Sequence, residues 1–218
     1  MLYNGIVKTI ILTSAGFKTP ELQREFLKAL PKPPASLKLA YVTTASKVEE
    51  NKDFVERDRK ILIELGFQME EIDIEGKDYE ELKILLKNKD IIFVQGGNTF
   101  YLLKHVRSSG FEREVKELLE QGVIYVGVSA GSYVACPTID MATWKHQDRE
   151  RYGVTDLNAM NLVPFLLSVH YNREKYREAL LSGAKDTKLP LRILTDDQAL
   201  LVKDREVTLI GSPDEVKL

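Results

Sequence analysis

A serine between two glycines, Gly127-Val128-Ser129-Ala130-Gly131, is the stretch of this chain best suited to covalent chemistry. It ends a short apolar, β-branched run, residues 123–128, that reads as a buried strand. Glycines two positions either side of the serine permit a sharp strand-to-helix turn, where a side chain would meet neighbouring backbone. Such a turn holds the hydroxyl at the end of a parallel sheet and at the N-terminus of the next helix, whose positive end favours an oxyanion. The same five residues also read as a glycine-rich turn with a capping serine. Their surroundings have to decide between the two.

A serine attacks at neutral pH only with a base, and histidine is the usual one. The chain has three. His105 falls inside an amphipathic helical pattern and reads as a packing or surface residue, and His146 falls in a charged connector. His170 follows Leu166-Leu167-Ser168-Val169, so a buried strand delivers it to the strand's end, after the serine in chain order. Taken alone it reads equally as a base or as a satisfied core histidine. Acyl transfer also needs backbone N–H groups aimed at the oxyanion. Ala130, after the serine, supplies one. The pair Gly96-Gly97, after an apolar run at 90–95, either brings a second N–H close or forms a plain turn.

The elements that must position these groups follow from hydrophobic periodicity. Compact apolar runs at 8–14, 37–43, 90–95 and 123–128 read as strands, as does 70–74, where acidic and apolar residues alternate as in a half-exposed strand, and amphipathic helices at 20–30, 53–65, 79–86, about 98–106 and 111–121 alternate with them. This alternation predicts an α/β fold: one domain over residues 1–218, a mostly parallel sheet with helices on both faces. Its site lies beyond the carboxyl ends of the strands, where the loops after Thr43, after Gln95 and at Ser129 converge. The last third reads as a short strand at 137–141, a charged connector at 144–151, an apolar segment at 162–170, a helix at 173–182, and strands at 191–195, 199–202 and 207–210, the last two a hairpin.

Composition narrows the classes. Among 218 residues, 31 basic side chains nearly balance 33 acidic ones, which leaves no electrostatic footprint for nucleic acid. No apolar run reaches the length of a membrane span, and no signal-peptide pattern opens the chain, so the expected compartment is the cytoplasm. The single cysteine, Cys136, excludes an internal disulfide framework and reads as a small buried residue. No oligomeric state can be read from the pattern.

Four stretches taken together, Gln95-Gly-Gly-Asn-Thr-Phe100, Gly127-Val-Ser-Ala-Gly-Ser132, Ala135-Cys-Pro-Thr-Ile139 and Ser168-Val-His-Tyr171, resemble peptidase family S51 in kind and in order, over nearly the whole chain. The resemblance implies a fold like that of class I glutamine amidotransferases (flavodoxin-like), with serine in place of their elbow cysteine. It implies a serine peptidase that uses no metal and no organic cofactor and hydrolyses short peptides, above all dipeptides with N-terminal aspartate. It makes Ser129 the nucleophile, His170 the base, and Gly97 and Ala130 the oxyanion hole. It places Asn98, Arg177 and Arg173 on the substrate; Arg177, within Tyr-Arg-Glu-Ala, fits the family's arginine context better. Both arginines also read as members of a salt-bridged surface helix. Two rivals share the scaffold: a cyanophycinase-like or other acyl hydrolase, and a weakened relative that only binds a small acidic ligand.

One departure stands out. The family's aspartyl dipeptidases carry the third triad member shortly after the Cys-Pro-Thr-Ile stretch, and a gap-free overlay puts Trp144 there. An indole cannot orient an imidazole as a carboxylate does. Asp140 is the expected replacement, because it ends the strand expected at 137–141. Asp148 is the next choice, and the pair Tyr171 and Glu174 follows.

Overall fold

The computed structural model describes residues 6–145, 150–211 and 214–218. In its first half, strands β1 (Thr9–Thr13), β2 (Lys38–Val42), β3 (Gln68–Ile72), β4 (Ile91–Val94) and β5 (Ile124–Val128) alternate with helices α1 (Pro20–Ala29), α2 (Asp53–Glu64), α3 (Tyr79–Leu86), α4 (Thr99–Ser109) and α5 (Phe111–Glu120). The second half holds α6 (Ala130–Val134), α7 (Asp140–Trp144), β6 (Leu166–Ser168), α8 (Arg173–Ala184), β7 (Leu191–Ile193), β8 (Gln198–Lys203) and β9 (Glu206–Gly211).

Seven strands form one sheet in the order β3-β2-β4-β5-β1-β8-β9. The first five are parallel; β8 and β9 add an antiparallel hairpin beside β1. Side chains alternate across the strands, and both faces are buried. Ile10, Leu12, Ile92, Val94 and Tyr125 face the core under α3 to α6. Ile11, Ile91, Phe93, Val126 and Val128 face the core under α1 and α2. This two-sided burial is why the strands read as continuous apolar runs. Local signals set the helix starts: Pro20 opens α1 behind the Thr19 cap, and Asp78 with Glu81 forms a capping box on α3. No helix among the described residues is long and apolar enough to cross a membrane.

The expected strand at 137–141 is not formed. Thr138 makes an isolated bridge to Asn158, and the chain turns into α7, where the Thr138 hydroxyl accepts the Asp140 N–H at 2.9 Å. The apolar segment 162–170 contributes only the three-residue β6. That strand pairs in parallel with β7 in a separate two-stranded sheet.

Candidate active site

β5 lies at the centre of the sheet between β4 and β1, and all five of its residues are buried. Beyond it the chain turns at Ser129, with φ 49° and ψ −105°, before α6 begins. A non-glycine residue with these angles is strained, and its neighbours hold it there. The Ser129 N–H donates to Thr13 O at 3.1 Å. A Cβ on Gly127 would lie 2.6 Å from Gly131 O, and one on Gly131 would lie 2.2 Å from Val94 O. Both glycines therefore answer to close backbone approach, and neither has a positive φ.

The Ser129 hydroxyl lies 2.8 Å from His170 Nε2. His170 Nδ1 lies 2.6 Å from Asp196 Oδ1. The parallel pairing of β6 with β7 creates this second contact, because it brings the carboxyl ends of two strands side by side. The Leu194 N–H donates to Ser168 O at 2.8 Å and the Tyr171 N–H to Leu194 O at 3.0 Å, with His170 between them at φ 54°. At the end of β1, the Ser14 hydroxyl donates to Asp196 Oδ1 at 2.9 Å and accepts the His170 N–H at 2.7 Å. The hydrogen bond from His170 holds the Asp196 carboxyl well below the usual carboxylate range; Ser14 and Lys18 act in the same direction, and burial opposes them. An ionised Asp196 can only accept, so Nδ1 carries its proton and donates to Asp196, which assigns Nε2 as the acceptor facing the serine.

Gly97 has φ 136°, and a Cβ there would lie 2.2 Å from Ala45 O. Only glycine lets this turn seat against the 3₁₀ turn Thr44–Ser46. A Cβ on Gly96 would come within 3.1 Å of the Ser129 Cβ, so this turn borders the elbow directly. The N–H groups of Gly97 and Ala130 make no hydrogen bond to another described residue. Ser129, His170, Gly97 and Asp196 all line a cavity of about 360 Å³.

The other residues singled out from the sequence lie elsewhere. Asp140 opens α7, and the His170 ring nitrogen expected to face it is hydrogen-bonded to Asp196 instead, so the structure does not place Asp140 on His170. Trp144 ends α7 and packs on Gly183 of α8. Asp148 and His146 lie outside the described residues. Glu174 is exposed in the first turn of α8. Asn98 is the N-cap of α4, its Oδ1 accepting the Tyr101 N–H at 2.9 Å and its Nδ2 donating to Glu150 O at 3.1 Å. Arg173 is exposed on α8 and Arg177 pairs with Glu178 at 3.2 Å; neither lines the cavity, so the structure does not bring them to Ser129. Burial pushes the Cys136 thiol up to about 12, which keeps it protonated and inert. Sequence reading passed over Asp196, Ser14 and Arg57. Ser14 directly follows β1 and Asp196 lies three residues past the end of β7, so both sit beyond the carboxyl ends of strands, the rule that selected Ser129 and His170.

The model of peptidase family S51 matches residues 10–210. The chain belongs to peptidase family S51. An uncharacterised peptidase of Listeria monocytogenes is 30% identical over 203 residues, which is 92% of this chain and 97% of that protein. Peptidase E of a Nostoc species is 30% identical over 186 residues, 80% of this chain and 73% of its own length. The crystal structure of a candidate peptidase E protein from L. monocytogenes superimposes with a TM-score of 0.82 at 28% identity, covering 94% of this chain and 99% of that one. Membership in S51 accounts for the order of the four motif stretches and for the mostly parallel sheet that carries them.

Proposed function

We propose that this chain is a serine-type peptidase acting on short peptides, dipeptides with an N-terminal acidic residue foremost. The observation that carries the reading is the continuous hydrogen-bonded line from Ser129 Oγ through the His170 ring to Asp196. In this mechanism His170 Nε2 takes the Ser129 proton as Oγ attacks the scissile carbonyl. The N–H groups of Gly97 and Ala130 receive the developing oxyanion. Asp196 holds the imidazole in the required tautomer and stabilises the imidazolium. The imidazolium then protonates the leaving amine, and a water activated by the same ring releases the acyl group. The cavity of about 360 Å³ lies at the small end of the range for ligand pockets, which supports short substrates. The weakened-binder alternative rested on a missing acid, and Asp196 removes its motive.

The test combines a dipeptide panel with a serine-directed fluorophosphonate probe. Ser129→Ala should abolish both hydrolysis and labelling while leaving the melting temperature within a few degrees. Turnover retained in a clean Ser129→Ala preparation would sink the mechanism. His170→Ala should likewise remove hydrolysis.

A further inference from the structure

The arginines expected to hold an acidic substrate lie off the cavity, yet the cavity does contain a guanidinium. Among the described residues lining it, Arg57 of α2 is the one lysine or arginine. Its Nε and Nη2 donate to Asp58 Oδ1 at 2.9 and 2.7 Å, and Nη2 also donates to Ala15 O at 2.9 Å. Nη1 makes no hydrogen bond to another described residue. The side chain is 40% exposed on the cavity wall, whereas the Asp58 side chain is 2% exposed.

The tether behind Arg57 is itself fixed. Asp58 Oδ2 accepts from Gln95 Nε2 at 2.9 Å, and Gln95 Oε1 accepts the Gly96 N–H at 2.7 Å. Gly16, at φ +75°, presses its backbone on the carboxylate, leaving 2.7 Å for a Cβ. One residue from the motif stretch, Gln95, thus joins the turn beside Ser129 to the carboxylate that aims Arg57. Burying Asp58 is costly unless it is paired. These bonds engage Nε and both hydrogens of Nη2 and leave Nη1 as the donor for a ligand. An arginine held in this way has already lost most of its rotamer freedom, so a carboxylate meets a preorganised charged donor. Glu49 lines the same cavity, so the wall carries both signs, as a short zwitterionic peptide requires.

We infer that Arg57 is the specificity-determining anchor for a carboxylate of the substrate, positioned by Asp58 and Gln95. This rests on the peptidase reading above and deepens it. The carboxylate belongs either to an acidic N-terminal side chain or to the free C-terminus of a dipeptide, and the arms below separate the two.

Succinate, which has the carboxylates of an aspartyl residue without its peptide bond, is the binding probe, and neutral succinamide is its control. Calorimetric titration of the full chain should give succinate binding that weakens at least tenfold in Arg57→Gln, with succinamide bound by neither. Equal succinate affinity in wild type and Arg57→Gln, or no binding to either, overturns the assignment. Because Arg57→Gln leaves Asp58 charged and unpaired, the double variant Arg57→Gln/Asp58→Asn serves where the single one melts early, and Arg57→Lys should bind with intermediate affinity. In turnover, Arg57→Gln should raise KM about tenfold or more with kcat within threefold. Asp-Leu amide sharing that loss assigns the side-chain carboxylate. Loss on Ala-Leu but not on its amide assigns the C-terminus. Equal loss on Ala-Leu amide and Asp-Leu overturns the anchor. Fluorophosphonate labelling of Ser129 fails only if the peptidase reading fails, and it should be unchanged in Arg57→Gln.

Discussion

The proposed role of Asp196 would tie catalysis to acid stability through its hydrogen bond with His170. If it orients His170, Asp196→Asn should lower kcat by roughly a thousandfold or more, the scale set by such changes in other triads. Asp140→Asn should leave turnover within about threefold. A large loss in Asp140→Asn with none in Asp196→Asn would reverse the assignment. The folded carboxyl is depressed relative to an unfolded aspartate near 3.9. Its contribution to stability is therefore present above about pH 4 and is lost as pH falls below that. The wild type should melt higher than Asp196→Asn at pH 7, with the gap closing toward pH 3, as thermal melts at each pH would show. Ser129 and His170 could be picked from the sequence because a glycine pair or an apolar run announces each. Asp196 stands in Thr195-Asp196-Asp197, where a polar strand end looks like any other. Its partner lies 26 residues away, and only the pairing of β6 with β7 brings them together.

At the scale of elements, the central strands were legible because each is buried on both faces and leaves an unbroken apolar run. The piece after α6 was not. Residues 137–141 have strand-like composition, but the strand pairing stops at the Thr138–Asn158 bridge and the Ile139 N–H bond to Leu157 O, and the Thr138 hydroxyl, accepting the Asp140 N–H, turns the chain into a short helix, α7. Three-residue strands such as β6 and β7 are too short for periodicity to mark. The elbow gives a test at this scale. Gly131→Ala drives a Cβ into the Val94 carbonyl of β4, and neither backbone can retreat without disturbing the sheet. Overpacking of this kind costs on the order of 1–3 kcal/mol, which corresponds to a drop of very roughly 2–10 °C in a chain of this length. Gly76→Ala has open space around the new methyl and only its φ of +72° against it. It should cost less than Gly131→Ala. A melting temperature for Gly131→Ala equal to that of Gly76→Ala would show that the elbow tolerates a side chain and is looser than described.

For the molecule as a whole, a histidine away from the site links folding to pH. His170 belongs to the site, whereas His105 is buried in α4, its ring in edge contact with Tyr101. The sequence left His105 as a packing or surface residue on an amphipathic helix, and its burial in α4 decides for packing. Neither ring nitrogen has a hydrogen-bond partner among the described residues, and Glu75 Oε1 stands 3.9 Å from Nε2. Burial lowers the His105 pKa; Glu75 and Asp73 oppose that, and Lys104 and Lys47 reinforce it. The unfolded imidazole titrates near 6.5. With the folded value below this, unfolded chains bind the proton first. Stability contributed by neutral His105 is thus complete above about pH 6.5 and is lost as pH falls from there toward the folded value. Removing the imidazole should flatten that limb even if it also lowers stability through lost packing. The melting temperature of His105→Gln should therefore fall less steeply than that of the wild type between pH 8 and pH 5.5, while the pH dependence of hydrolysis stays unchanged. Parallel melting curves across that range would mean that His105 does not link folding to protonation. A shifted rate profile in His105→Gln would mean that the two histidines are coupled through the sheet.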